Sequence, residues 1–144
     1  MTIAVEDRVA KHYAQGRLEQ TITEALAASG ADLARLVPAD LAPIDEFHIG
    51  GRQATVDFAA QLQVFPSAGL LDIGCGLGGA SRYFAHERGC RVTGIDLTVE
   101  YVAVAAALAA RVGLSEVVTH RQGAHWPCRS PRRVSTAPTC CMSA

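Results

Sequence analysis

At 144 residues the chain is long enough for one domain with a core, and with 49% apolar residues it is not a low-complexity or disordered polypeptide. Thirteen Lys and Arg against fourteen Asp and Glu leave a net charge of −1, which excludes the basic footprint of a nucleic-acid binder. No apolar run approaches the ~18 residues of a membrane helix, and Met1-Thr2-Ile3-Ala4-Val5-Glu6-Asp7 lacks the basic-then-apolar pattern of a secretory leader, so a cytoplasmic protein is expected.

Residues 4–28 read as a helix, with Val5, Val9, Leu18, Ile22 and Leu26 recurring at mostly four-residue steps, a break near Gly16 and Gly30 as the stop. Ala31–Pro43 carries two prolines and reads as a connection with about one helical turn. Asp45-Glu46-Phe47-His48-Ile49-Gly50-Gly51-Arg52 leads into a second helix over 53–64, with Ala54, Phe58, Leu62 and Phe65 as its apolar stripe; Pro66 ends it. Within this region Tyr13, His48 and Arg52 are polar residues that could serve a site. Local packing or hydrogen bonding is the preferred reading for Tyr13 and His48, and a solvated cation for Arg52.

The chain is organised around residues 69–79, an apolar strand that runs straight into Gly74-Cys75-Gly76-Leu77-Gly78-Gly79, with Asp72 two residues before the first glycine. Such a strand and turn hold a nucleotide-like ligand at the mouth of a parallel sheet. Gly74 and Gly76 keep side chains from between backbone and ligand, and Gly78 and Gly79 let the next helix start close to the strand. The stretch also spells G-x-G-x-x-G, the dinucleotide fingerprint. A pyrophosphate at the helix start would be repelled by an acidic side chain pointing there, whereas a cationic ligand would be attracted, so Asp72 disfavours the dinucleotide.

Asp72-Ile73-Gly74-Cys75-Gly76-Leu77-Gly78 resembles motif I of the class I S-adenosylmethionine-dependent methyltransferases, and the stretch from Phe47 to Arg52 resembles the type 11 domain group of that family. The resemblance spans residues 4–123. It implies an α/β, Rossmann-like fold whose cofactor is S-adenosyl-L-methionine, with Asp72, Gly74, Cys75, Gly76 and Gly78 around its methionine portion. It also implies helices before the first strand that partly cover the cofactor.

Downstream, residues 80–88 form a helix with Ala80, Tyr83 and Phe84 inward, closed by Gly89. The strand 91–95 ends at Asp96, eighteen residues past Gly78. A carboxylate there can accept two hydrogen bonds from ribose hydroxyls; Thr98 is expected to cap the helix at 99–112 instead. By the resemblance, Leu97 lies against the adenine. A third strand is expected at 117–121, and Gln122-Gly123 opens the next cofactor segment, where the family has an aspartate but this chain has Ala124.

From Ala124 the periodicity stops. Back-translated with GC-rich codons, Gly123-Ala124-His125-Trp126 becomes Gly-Asp-Ala-Leu when one base is restored, with Leu-Pro-Phe and an Asp-containing strand following, so a frameshift is expected. Three regions follow: an N-terminal helical lid at 1–65, the cofactor-binding half of a Rossmann-like domain at 66–123, and a disordered tail at 124–144. About three parallel strands are expected, leaving a sheet edge open to self-association. The function expected is methyl transfer to a small molecule by the family, with this chain itself inactive. The alternatives are a non-catalytic S-adenosylmethionine-binding remnant and a nicotinamide-dependent oxidoreductase. No catalytic base is assigned, neither nucleic acid nor membrane is an expected partner, and the spacing of Cys75, Cys90, Cys128, Cys140, Cys141 and the five histidines suggests free thiols and no metal site.

Overall fold

The computed structural model describes residues 18–46, 48–123 and 140–143. In chain order these form α1 (Leu18–Ala28), α2 (Pro38–Asp45), α3 (Gly51–Gln61), β1 (Gly69–Ile73), α4 (Gly79–Arg88), β2 (Arg91–Asp96), α5 (Val99–Arg111), β3 (Val118–Gln122) and β4 (Cys140–Ser143). Tyr13, Phe47, the helix turns expected before Leu18, and the tail from 124 to 139 lie outside the described residues. None of the described helices is long and apolar enough to cross a membrane.

The sheet is parallel throughout, in the order β3-β2-β1-β4. That is the opening of the doubly wound order, in which ligands bind at the carboxyl ends of the strands. Three of the strands fall where the sequence predicts them, at 69–73, 91–96 and 118–122. The fourth corrects the expectation of a tail without structure, because Cys140–Ser143 pairs with β1 from Leu70 to Ile73. It also occupies the edge of β1 that a three-strand sheet would leave bare. The reason is general: unpaired N–H and C=O groups along an edge accept any extended segment within reach.

Register explains how the strands build one face. Leu70, Val92 and Val118 share one cross-strand row, and Asp72, Gly94 and His120 share another. The first row is apolar and joins Ala59, Tyr83, Phe84, Ala85, Cys90 and Ala109 in the main core. The second row holds the polar residues of the site. The opposite face, with Leu71, Ile73, Thr93 and Ile95, is half-buried.

A second core ties the N-terminal helices to the glycine turn. Ile22 and Leu26 of α1, Leu36, and Leu41 of α2 pack with Val104 and Leu108 of α5 around Leu77. Helix α2 is two turns long, more than the one turn expected. Pro38 suits a first helical position, and the Asp40 carboxylate accepts the Val37 N–H at 2.9 Å. The stripe expected on α3 is rotated by one position. Thr55 and Ala59 are its buried residues, while Phe58 and Phe65 are 42% and 66% exposed. Tertiary demand overrides the apolar count here, since the Thr55 hydroxyl donates to Glu46 at 3.0 Å and the Ala59 carbonyl accepts from Arg88 at 3.1 Å.

Candidate functional site

The turn after β1 is held from beneath by β2, because the N–H groups of Gly74 and Cys75 both donate to the Ile95 carbonyl, at 2.8 and 3.0 Å. Its glycines divide into two kinds. Gly74 (φ +78°) and Gly76 (φ +52°) take left-handed backbone, and a β-carbon added to either would meet no atom within 4 Å. Open space lies in front of them. Gly78 (φ +80°) and Gly79 are closed in. A β-carbon on Gly78 would stand 2.6 Å from His120 Nε2, and one on Gly79 would stand 2.6 Å from Glu46 Cγ and 2.8 Å from Asp45 Oδ1.

Asp96 lies at the open side. Its Oδ2 accepts the Gly76 N–H and its Oδ1 accepts the Thr98 N–H, both at 2.9 Å. Each oxygen retains a second lone pair for a ligand hydroxyl. Thr98 occupies the N-cap position, as expected, but its side chain makes no cap bond; Asp96 instead holds the N–H of Thr98 itself. Leu97 is half-buried beside it, and its carbonyl accepts from the Gln122 side chain at 3.2 Å.

Asp72 is placed differently from the expectation of an acid beside the ligand. It is 1% exposed, and its Oδ2 accepts the Ser81 hydroxyl at 2.5 Å. Burial raises its carboxyl above the ordinary carboxylate range, the Ser81 bond opposes that, and the nearby Asp96 adds to it. Cys75 is buried too. Its sulfur would lie 2.8 Å from a β-carbon on Gly94, and burial, then Asp72 and Asp96, push the thiol up to about 12. The thiol is therefore neutral and unreactive at physiological pH.

Behind the turn lies a buried polar cluster. Arg82 Nη1 donates to the Leu77 carbonyl at 2.7 Å, and Nη2 donates to Asp45 Oδ2 at the end of α2. Both side chains are 1% exposed. Burial dominates for each partner despite the pairing, raising the Asp45 carboxyl to about 6 and lowering the arginine. Glu46, next in the chain, accepts from Thr55 and lies 3.7 Å from Arg52 and 3.8 Å from His48. Arg52 also stacks on Tyr83, with its guanidinium carbon 5.1 Å from the ring centroid. His48 is thus engaged locally, its Nε2 3.2 Å from the Thr55 hydroxyl. No group of three or more metal-ligating side chains occurs among the described residues.

The sequence profile of a family described as "Methyltransferase domain" matches residues 70–135. Over that stretch, which is less than half of the chain, the sequence is similar to this family. Two plant relatives are similar to part of this chain. Maize (Zea mays) phosphoethanolamine N-methyltransferase 1 is 40% identical over 53 residues, which is 37% of this chain and 11% of that protein. A probable chloroplastic tocopherol O-methyltransferase of rice (Oryza sativa subsp. japonica) is 43% identical over 54 residues, 38% of this chain and 15% of that protein. Among solved structures, the YcgJ protein of Bacillus subtilis superposes with a TM-score of 0.51 at 26% identity, over 56% of this chain and 33% of that one. The chain therefore spans only a small part of the length of the curated relatives it matches.

The likeness to methyltransferases rests on that match rather than on Asp72, whose carboxylate is buried against Ser81. The profile also runs past residue 123, where the family pattern was expected to stop. Five residues of the site escaped the sequence: Asp45, Glu46, Ser81, Arg82 and His120. A signal existed for Gly94, a glycine inside a strand, which often marks the close approach of another group. Here it makes room for Cys75 and the His120 ring.

His120 offers a direct test of that packing. Both ring nitrogens are buried without a hydrogen-bond partner among the described residues, and burial, then Arg82, lower its pKa from 6.5 to about 4. A depressed pKa means that the unfolded chain binds the proton first, so this contribution to stability is lost as pH falls from 6.5 through 4. Asp45 acts in the opposite sense, because its raised pKa makes stability fall as pH rises from 3.8 through 6. The variant His120→Leu isolates the histidine. Its urea midpoint should equal or exceed wild type at neutral pH, since two unpartnered nitrogens are removed, and its advantage should grow on acidification to pH about 5.

Proposed function

We propose that this chain carries the cofactor-binding part of a methyltransferase that uses S-adenosyl-L-methionine and acts on a small molecule. The observation that carries the reading is the open space before Gly74 and Gly76, bordered by the Asp96 carboxylate. A bare backbone admits a ligand closely, and Asp96 keeps acceptor capacity for two adjacent hydroxyls such as those of a ribose. Asp72 and Asp96, set close to each other, bias the local potential negative, which suits an ammonium and a sulfonium better than a pyrophosphate.

The cofactor, when bound, supplies an electrophilic methyl group on sulfur. The part played by this chain is positional: Gly74 and Gly76 give the methionine portion room, Asp96 orients the ribose, and Leu97 lies beside the base. Holding the donor in one orientation is a large share of what such a transfer needs. Helices α1, α2 and α3 serve as a lid. The plant relatives, whose names specify N- and O-methylation of small molecules, support a small acceptor and leave the acceptor atom open.

Isothermal titration calorimetry with S-adenosylhomocysteine and with NAD tests this reading. S-adenosylhomocysteine should bind and NAD should not. Asp96→Asn should weaken binding by about 10–100-fold, the equivalent of losing charge-assisted hydrogen bonds of about 1.5–3 kcal/mol. Tighter binding of NAD, or an Asp96→Asn affinity equal to wild type, would refute the assignment. Binding without turnover of any small amine or phenol would identify a non-catalytic cofactor binder.

A further inference from the structure

The glycine turn is gripped from the lid on two sides. The Leu77 side chain, 2% exposed, belongs to the core shared by α1, α2 and α5. Its carbonyl is held by Arg82, whose other nitrogen is held by Asp45 of α2. Gly79 lets the lid seat against the start of α4, for any side chain there would strike Glu46 and Asp45. The cluster also holds polar atoms that have no hydrogen-bond partner among the described residues: Asp45 Oδ1, Glu46 Oε1 and Arg82 Nε. A buried pair of this kind is weak evidence for stability by itself. Its geometry shows another use, since the only backbone atom that Arg82 reaches in these contacts is the carbonyl of the ligand-facing turn.

We propose that Arg82 is a positioning residue, and that the Asp45–Arg82–Leu77 chain of contacts couples the docking of lid helix α2 to the shape of the cofactor turn. The consequence for the cofactor rests on the function proposed above; the coupling of lid to turn does not. Asp45 fixes the guanidinium, the guanidinium fixes the Leu77 carbonyl, and that carbonyl sets the second half of the turn, between the open Gly76 and the closed Gly78. Coupling of this kind is reciprocal, so a ligand that favours the ordered turn must favour the docked lid by the same factor.

The test uses the full 144-residue chain. Asp45→Asn keeps the shape of the side chain and removes its charge. Arg82→Lys keeps the charge and removes the fork that reaches two acceptors at once. In either variant, hydrogen exchange at the amides of Leu77, Gly78 and Gly79 should accelerate without ligand, by more than the change in global stability measured in urea accounts for. S-adenosylhomocysteine should bind about 5–150-fold more weakly, the usual range of a coupling between sites. In wild type, the ligand should slow exchange in α2. A purely structural pair would lower the urea midpoint and leave both the turn's exchange, after that correction, and the affinity of the folded protein unchanged; that result overturns the proposal. Should one variant fail to fold, the other decides. Should wild type bind no S-adenosylhomocysteine, the proposed function falls, and exchange in the ligand-free turn alone decides the coupling.

Discussion

Replacing Arg82 with methionine is expected to destabilise the protein by about 3–5 kcal/mol at neutral pH, the usual cost of stripping one partner from a buried ion pair. Methionine fills much of the same volume, so the loss comes from electrostatics and from the Leu77 carbonyl, which loses the donor Arg82 supplies at 2.7 Å. Asp45 would then sit 1% exposed with no cation on its Oδ2. Its pKa, already raised to about 6 with the arginine present, should rise further and the carboxyl should take up a proton. A folded pKa above the unfolded value means stability that is recovered as pH falls. The deficit of Arg82→Met relative to wild type should therefore shrink on acidification to pH about 5. Urea denaturation of both proteins at the two pH values measures it. A deficit that stays constant with pH would show that Asp45 is not the group left stranded.

Gly78→Ala should be nearly as damaging, at about 2–5 kcal/mol, and Gly74→Ala should not, although both glycines have almost the same backbone angle. At Gly74 (φ +78°) the added methyl meets nothing within 4 Å, so only the left-handed strain of about 1–2 kcal/mol applies. At Gly78 (φ +80°) the methyl also runs into His120 Nε2 at 2.6 Å and Arg82 Nη1 at 3.1 Å. The ring is wedged over Gly94 and cannot retreat on that side, and Arg82 is held by Asp45. For ligand binding the order reverses once stability is allowed for. Gly74→Ala places its methyl in the open space and should weaken S-adenosylhomocysteine binding in a protein that is otherwise close to wild type. Thermal melts together with calorimetry on both variants separate the two effects. Equal stability losses would mean that the rear of the turn is not packed as described.

These expectations mark the boundary between what could be read along the chain and what could not. The strand at 69–73, the glycine turn, Asp96 and the helices on either side were legible because each rests on local physics. An apolar run leading into a glycine turn identifies the strand, left-handed backbone selects glycine, and an acid at a strand end stands at the mouth of a parallel sheet. The helix stops at Gly30 and Gly89 followed for the same reason, and both have left-handed backbone.

Tertiary structure alone decided the rest. Motif I lists its glycines as equals, yet Gly74 and Gly76 face open space while Gly78 and Gly79 face His120, Glu46 and Asp45. Nothing in the motif distinguishes them, because the neighbours that close off the second pair come from β3 and from the end of α2. Asp72 appeared to face the ligand and lies buried against Ser81, since the side-chain alternation of β1 turns it toward α4. The face that α3 buries was set by Thr55 meeting Glu46 rather than by its larger apolar residues. Arg82 and Asp45 are separated by 37 positions, and a charged pair at that distance leaves no periodic trace. Local sequence determined which backbone the site has; long-range packing determined which of its atoms a ligand can reach.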